Sequence, residues 1–208
     1  MRRARWRWRR TRRRTAKPPI PHRVRAARKA LAKLRAHEQA GRCDLFSGDE
    51  SGFCLQPTLG CCWQPPGPTL SIPAQAHGRR WNVCGFLRGD GELAHLGRVG
   101  RLGAKEFIAA VESRLLPVLR RPAILVLDNG PCHRARLVKA KRAAWRARGL
   151  RLCFLPPYCP HLNRIETLWR LVKHRWLPLA AYANFVTLRE SVTTLLNAIG
   201  LHYRVSFS

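Results

Sequence analysis

The alternation of apolar and polar stretches predicts strands and helices that follow one another along the chain. Residues 123–127 (AILVL) are wholly apolar, which predicts a central strand buried on both faces. Other segments, in which apolar residues are less continuous, predict strands at 43–49, 81–87, 92–97 and 150–155. Asp90 and Gly91 separate two of these runs and predict a hairpin turn.

Apolar residues at helical spacing predict helices over 22–40, 104–116, 133–148, 163–176 and 185–199. Residues 50–80 are rich in Pro, Gly and Cys and are expected to form a long loop with short strands. The order of elements predicts an α/β fold, with a mixed sheet covered by helices on both faces.

The charge of the chain points to a polyanionic partner. Forty Lys and Arg against eleven Asp and Glu give a formal net charge of +29, which favours nucleic acid over an anionic membrane surface. No apolar run is long enough to span a bilayer, and the basic N-terminus lacks the apolar stretch of a secretion signal. We therefore expect a cytoplasmic protein with reduced cysteines and no membrane partner.

The basic residues are densest at the start of the chain. Residues 1–35 contain sixteen Lys or Arg and no acid. Residues 1–21 are interpreted as an arm that grips DNA phosphates, and a solvated basic tail is the alternative. The proposed DNA-binding residues of the arm are Arg2, Arg3, Arg5, Arg7, Arg9 and Arg10. A linker helix over 22–41 and a catalytic domain over 42–208 are expected to follow.

Two aspartates follow predicted strands. Asp128 comes directly after the most apolar strand, where the carboxyl ends of parallel strands form sites; a turn made with Asn129 and Gly130 is the alternative. Asp49 ends the first predicted strand. Asp44 lies at the wrong end of that strand, and Glu50 should point to the opposite side from Asp49.

Glu166 is the third candidate and lies in the first turn of a predicted helix. It stands three residues after Asn163, as in a capping box, and could also pair with Arg170 one turn on. The rigid segment Pro156-Pro157 precedes this helix and could direct Glu166 back towards Asp128.

Three carboxylates in so basic a chain suit a metal site. Mg²⁺ prefers oxygen ligands and keeps sites open for water and phosphate, and two such ions about 4 Å apart can activate an attacking oxygen and stabilise a leaving one. The predicted ligands are Asp49, Asp128 and Glu166, with Mn²⁺ as a substitute metal. Asn129, His133 and Asn163 are expected to be polar neighbours of the metal site, and a helix-start residue bound to backbone is the alternative for His133. Arg134, Arg136 and Arg164 are expected to bind DNA, and a solvated helix face is the alternative for the first two.

Three stretches resemble transposases of the mariner superfamily, in its bacterial insertion-sequence branch: DLFSGDESGF (44–53), ILVLDNGPCHRA (124–135) and LPPYCPHLNRIETLWRLVKHRWLP (155–178). The resemblance covers roughly residues 40–208. It implies a ribonuclease-H-like five-stranded sheet and an Asp-Asp-Glu triad at Asp49, Asp128 and Glu166. It also implies Mg²⁺-dependent cutting at transposon ends in double-stranded DNA and joining of the freed 3′-hydroxyl at a TA target. The expected active form is a homodimer associated with the bacterial nucleoid.

The chain departs from the family in two places. Cys159-Pro160-His161 stands where members often have Ser-Pro-Asp or Ser-Pro-Glu, and Arg164 stands where Pro or Leu is common. Residues 1–40 are too short and too rich in Arg for two helix-turn-helix units. The expectation is thus a catalytic domain without its recognition module. A non-catalytic DNA-binding remnant and a simple ribonuclease-H-like nuclease remain as alternatives.

Overall fold

The computed structural model describes residues 19–57 and 78–205. The six arginines of the predicted arm lie outside these residues, as does much of the predicted loop over 50–80. Among the helices of the described chain, none has the length and apolar character needed to cross a bilayer.

Five strands form one mixed sheet in the spatial order β3-β2-β1-β4-β5. The pairs β1–β2 and β2–β3 are antiparallel, whereas β1–β4 and β4–β5 are parallel. The predicted mixed five-stranded sheet is therefore confirmed. The strands are β1 Asp44–Phe53, β2 Trp81–Arg88, β3 Leu93–Val99, β4 Ala123–Leu127 and β5 Leu150–Phe154.

Six α-helices accompany the sheet in the described residues, and two of them continue with a different pitch. They are α1 Pro21–Gln39, α2 Ala104–Ala110, α3 Pro131–Arg134, α4 Arg136–Ala147, α5 Ile165–Leu171 and α6 Phe185–Asn197. A π-helical segment, Val111–Leu115, extends α2, and another, Val172–Trp176, extends α5. The single helix predicted over 133–148 is wrong in one respect: Ala135 has an extended backbone (ψ 151°), which separates α3 from α4.

The two faces of the sheet are covered by different helices. One core joins the sheet to α5 and α6 through residues such as Val83, Leu168 and Val192. The other joins it to α2 and α4 through residues such as Phe107 and Trp145. Helix α1 lies on the α5 face, because its Leu31 packs in one cluster with Leu45 of β1 and Val126 of β4. The helices therefore leave β4 buried on both faces, as its wholly apolar sequence predicts.

Strand β1 is longer than its sequence predicts. It runs on to Phe53 because it pairs with β2 along its whole second half, whereas its pairing with β4 ends where Ser47 lies beside Val126. Asp49 is therefore inside β1 rather than after it. The prediction that Asp49 ends the strand is therefore wrong, although the parallel pairing of β1 stops two residues before it.

Candidate active site

Asp49 and Asp128 lie on neighbouring parallel strands at the same level. Ser47 of β1 is beside Val126 of β4, and each aspartate stands two residues further along its own strand. Asp128 directly follows β4 and its side chain is 53% exposed, while Asp49 is half-buried. The sheet register thus brings the two predicted aspartates to one edge, beyond the carboxyl end of β4.

Helix α5 covers the face of the sheet to which Asp49 points. Gly85 is directly opposite Asp49 on β2, so a side chain at Gly85 would share that face. A Cβ placed there would stand 2.9 Å from the Trp169 ring and 3.2 Å from Ile165. Because α5 carries both of these residues as well as Glu166, the third predicted acid approaches from the same side as Asp49.

Asn163 ties the start of α5 to β1. Its Nδ2 donates to the carbonyl oxygen of Gly48 at 2.9 Å, and its side chain is almost fully buried. The capping box considered for Glu166 is therefore absent, because the Asn163 side chain reaches β1 instead of the helix backbone. The described ion pairs likewise do not join Glu166 to Arg170.

The three acids act on one another electrostatically. Burial raises the pKa of Asp49 to about 7, with further contributions from the charges of Glu166, Glu50 and Asp128. Burial also raises the pKa of Glu166, and the charge of Asp128 adds to that effect. The described residues thus concentrate negative charge between β1, β4 and α5, where a divalent cation would lower the electrostatic cost.

The acids are spread too widely to surround one ion together. Within residues 19–57 and 78–205, the single set of three candidate ligands whose atoms lie within 4.8 Å of one another is Glu50, Cys132 and His133. Ligands of one Mg²⁺ are at most about 4 Å apart, but ligands of two neighbouring ions can be further apart. The oxygen-only set of Asp49, Asp128 and Glu166 fits divalent cations by its chemistry.

His133 bridges two carboxylates from different strands. Its Nδ1 donates to Asp128 Oδ1 at 2.7 Å and its Nε2 donates to Glu50 Oε1 at 2.8 Å. Burial alone would lower its pKa, but hydrogen bonds to Asp128, Cys132 and Glu50 raise it to about 12. The hydrogen bond from His133 also lowers the pKa of Asp128, although burial acts in the opposite direction. Glu50 therefore points away from Asp49, as predicted.

Asp128 also takes part in the turn with Asn129 and Gly130 that was considered as its alternative role. Its Oδ1 accepts a hydrogen bond from the Gly130 N–H at 2.8 Å. The same oxygen accepts from His133, so the turn and the imidazole use one carboxylate oxygen. Oδ2 is thereby left as the oxygen available to a ligand, and the turn does not compete with a role for Asp128 in metal binding.

Lys173 is a site residue that sequence reasoning missed. It lies two turns after Glu166 and is half-buried. Burial lowers its pKa and so does the charge of Arg80, whereas the charges of Asp49 and Glu166 raise it. Its spacing of seven residues from Glu166 was a usable signal, because residues seven apart share one helix face.

Of the predicted DNA-binding arginines, Arg134 lies beside the site. Its Nη1 donates to Asn129 Oδ1 at 2.6 Å, and Asn129 in turn donates to the Leu155 carbonyl. The guanidinium of Arg134 lies 5.3 Å from the Phe154 ring centroid, and that of Arg142 lies 4.9 Å from it. Asn129 thus connects the Asp128 turn to β5 and to a pair of cations.

Arg136 and Arg164 are not brought to the aspartates. Arg136 is exposed at the start of α4. Arg164 lines a pocket of about 410 Å³ with Arg35 and Asp44. Asp44 precedes Asp49 by five residues of β1, which is about 16 Å along the strand. The expectation that Arg164 binds DNA stays a prediction.

An open pocket of about 490 Å³ adjoins Asp128 and Glu166. The segment from Pro156 to Pro160 also lines this pocket, and its Tyr158 has a positive φ of 60° and is exposed. An exposed aromatic residue in the lining of the same pocket offers a stacking surface for a base near the predicted metal ligands.

Comparisons with known proteins agree with this geometry. The family described as DDE superfamily endonuclease matches residues 44–189. An uncharacterized 39 kDa protein of insertion element IS630 from Shigella sonnei is 25% identical over 158 residues, which are 74% of this chain and 43% of that relative. The chain thus spans less than half the length of this curated relative.

Solved structures show the same fold at low sequence identity. The Mos1 mariner paired end complex with Mg matches with a TM-score of 0.64 at 15% identity, over 95% of this chain and 60% of that one. The catalytic domain of Mos1 mariner transposase matches with a TM-score of 0.54 at 15% identity, over 85% of this chain and 80% of that one. The predicted ribonuclease-H-like fold is thereby confirmed.

Proposed function

The chain belongs to the DDE superfamily of endonucleases, and from that premise we propose that it is a transposase catalytic domain that cuts DNA strands and joins a freed 3′-hydroxyl to target DNA. The resemblance to the mariner superfamily and its insertion-sequence branch is confirmed by the family match and by the IS630 relative. The strand-transfer activity of this chain is the proposed part.

One observation carries the proposal. Asp49 and Asp128 lie level on neighbouring strands, and α5 brings Glu166 over the same face, so that the charges of Glu166 and Asp128 add to the effect of burial in raising the pKa of Asp49. Such a concentration of carboxylates in a chain of net charge +29 is costly without a cation. A phosphate-cutting site is the function that makes use of it.

We propose that Asp49, Asp128 and Glu166 hold two Mg²⁺ ions, or Mn²⁺ in their place. When bound, such ions would activate the attacking oxygen and stabilise the leaving one. Asp128 offers Oδ2, because Oδ1 is occupied by His133 and Gly130. Related mariner structures contain Mn or Mg, which supports the choice of metal.

Duplex DNA is the proposed substrate. Arg134 and Arg142 flank Phe154 close to the Asp128 turn, and guanidinium groups there could hold backbone phosphates. The arginines from Arg2 to Arg10 would add contacts from the basic arm. Transposon ends as substrate, a TA target and a homodimeric active form are proposed from the family membership, as is action in the bacterial nucleoid.

The proposed domain organisation is an arm over 1–21, a helix over 22–41 and the catalytic domain over 42–208. Helix α1 packs on the sheet through Leu31, which supports counting it as a buttress of the catalytic domain rather than as a free linker.

The test is metal-dependent nicking of duplex DNA by the purified chain, with Asp128→Asn as the comparison. We expect nicking with Mg²⁺ or Mn²⁺, a loss of at least a thousandfold in the variant, and equal DNA binding by both proteins. If both proteins bind DNA but neither cuts it under any metal condition, the chain is a DNA-binding remnant.

A second assay separates a transposase from a simple nuclease. A pre-cut duplex with a free 3′-hydroxyl is mixed with a target plasmid containing TA sites. Joined products support a transposase, whereas nicking without any joining supports a ribonuclease-H-like nuclease.

A further inference from the structure

We propose that His133 is a positioning residue: by holding Oδ1 of Asp128 and Oε1 of Glu50 at once, it fixes the Asp128 carboxylate so that Oδ2 is presented to metal. The inference rests on the proposed function, because it assigns His133 a role in the metal site formed by Asp49, Asp128 and Glu166.

The hydrogen bonds at Asp128 support this role. Its Oδ1 accepts from His133 Nδ1 at 2.7 Å and from the Gly130 N–H at 2.8 Å. The carboxylate would otherwise rotate freely, because its side chain is 53% exposed. Two donors on one oxygen set the rotation of the whole group, and an oriented ligand loses less entropy when it binds metal.

His133 is itself held in one orientation, so it can fix the orientation of the Asp128 carboxylate. Its side chain is 1% exposed, and its ring packs against Phe107 with the ring centroids 4.7 Å apart. Its Nε2 is bound to Glu50 at 2.8 Å. The ring therefore cannot turn about its Cβ–Cγ bond without breaking two charged hydrogen bonds.

Glu50 connects the bridge to the other aspartate. It directly follows Asp49 on β1, and its side chain points to the opposite face of the sheet, where His133 lies. One imidazole thus links the backbone segments that carry Asp49 and Asp128. The same bond keeps the Glu50 carboxylate out of the metal site, where a fourth acid would compete for the ions.

A purely structural role makes different demands on the side chain. If the buried histidine only filled the core, the loss of its bond to Asp128 and the loss of its bond to Glu50 would have the same effect on metal binding. In the positioning role the bond to Asp128 governs metal binding, and the bond to Glu50 matters less because it acts through the imidazole.

Two substitutions separate these bonds. In His133→Asn the amide nitrogen lies as many bonds from Cα as Nδ1 does, so the donor to Asp128 is kept. In His133→Gln the amide nitrogen corresponds to Nε2, so the donor to Glu50 is kept and that to Asp128 is lost. The fold control is His95→Gln, which alters a histidine hydrogen-bonded to Asn197 on the β3 edge, away from the acids.

The measurements are the Mg²⁺ concentration that gives half the maximal nicking rate and the rise in melting temperature on adding Mn²⁺ without DNA. We expect His133→Gln to need at least tenfold more Mg²⁺ and to recover most of its rate at saturation, with a smaller Mn²⁺ shift. His133→Asn should stay within about threefold of the wild type, and His95→Gln should not change the metal response.

The outcomes are distinguishable. A wild type that cuts DNA, with His133→Gln showing an unchanged metal requirement, overturns the positioning role and leaves the proposed function intact. A wild type with neither nicking nor a Mn²⁺ shift overturns both. If His133→Gln does not fold, His133→Met is measured instead, because its apolar side chain fills the space of the ring without a donor to Asp128: an Mg²⁺ requirement at least about tenfold higher supports the role, and an unchanged one contradicts it.

Discussion

The Asn163 side chain donates a hydrogen bond to the Gly48 carbonyl across 115 residues of chain, at 2.9 Å and out of contact with solvent. It joins the segment preceding Glu166 to the residue preceding Asp49. The distance between those two acids is thus governed by one buried amide as well as by the packing of α5 on the sheet.

Replacing Asn163 by Ala should lower both stability and activity. A lost buried hydrogen bond with an unsatisfied carbonyl costs about 1–3 kcal/mol, and the start of α5 would no longer be fixed to β1. We expect the free energy of unfolding, measured in urea, to fall by that amount and the nicking rate to fall at least tenfold at equal folded fraction.

Asn184→Ala is the matched control. Asn184 caps α6 by accepting from the Thr187 N–H at 2.9 Å, away from the acids. Its loss should cost about 1 kcal/mol without changing the nicking rate of the folded protein. Equal rate losses in the two variants would show that Asn163 acts on stability alone.

The metal-free protein should lose stability as the pH rises from about 4 to 7. The pKa of Asp49 is about 7 in the folded chain against 3.8 ordinarily, so between these values the folded state binds more protons than the unfolded state. Asp49→Asn removes this dependence. At pH 8 in EDTA it should be more stable than the wild type by on the order of 1–2 kcal/mol.

Urea unfolding at pH 4 and pH 8 checks this expectation. The advantage of Asp49→Asn should disappear at pH 4, and at pH 8 saturating Mg²⁺ should remove it by stabilising the wild type alone. If the variant and the wild type differed in free energy of unfolding by the same amount at pH 4 and pH 8, ionisation of Asp49 would not destabilise the folded protein.

Lys173→Met should stabilise the protein more in Mg²⁺ than in EDTA at pH 8. Burial lowers the pKa of Lys173, so its charge is held at a net cost that the charges of Asp49 and Glu166 offset only in part. Bound Mg²⁺ would cancel that offset, so we expect a gain of up to about 1 kcal/mol in Mg²⁺ and a smaller one in EDTA. Lys139→Met, at an exposed position of α4, is the control and should show no dependence on metal.

Arg134→Ala and Arg142→Ala should each weaken binding to duplex DNA independently of its sequence. Each phosphate contact that is lost should reduce the slope of log Kobs against log salt by about 0.9. Fluorescence anisotropy at several salt concentrations measures that slope. Arg189→Ala removes an equal charge from a residue already paired with Glu190, and a slope loss as large in this control would contradict a local role for the Phe154 pair.

Local sequence pattern predicted most elements of the fold. The run at 123–127 became β4 without error, and Asp90-Gly91 forms the β2–β3 hairpin with Gly91 at φ 98°. Local pattern did not predict element boundaries that depend on residues far away in the sequence. Strand β1 continues past Asp49 because β2 pairs with it, and no property of residues 50–53 indicates that pairing.

The candidate site shows the same division. Asp128 and Glu166 could be selected from a strand end and a helix start, because these positions follow from local periodicity, and Asp49 was selected from a predicted strand end that proved to lie inside β1. The bond between His133 and Glu50 spans 83 residues, and Asn163 resembled a helix cap although it binds β1. Such contacts depend on tertiary packing, which a single sequence does not display.

The direction of α1 has a consequence for how DNA could be presented to the chain. Its last turn leads into β1 near Asp44, while Arg28, nearer its start, lies close enough to Cys159 to lower that thiol's pKa against the larger effect of burial. Cys159 lines the pocket beside Asp128 and Glu166. The first half of α1 therefore lies on the side of the molecule that carries Asp128 and Glu166, so a DNA-binding module fused experimentally to the start of this helix would be attached close to those acids.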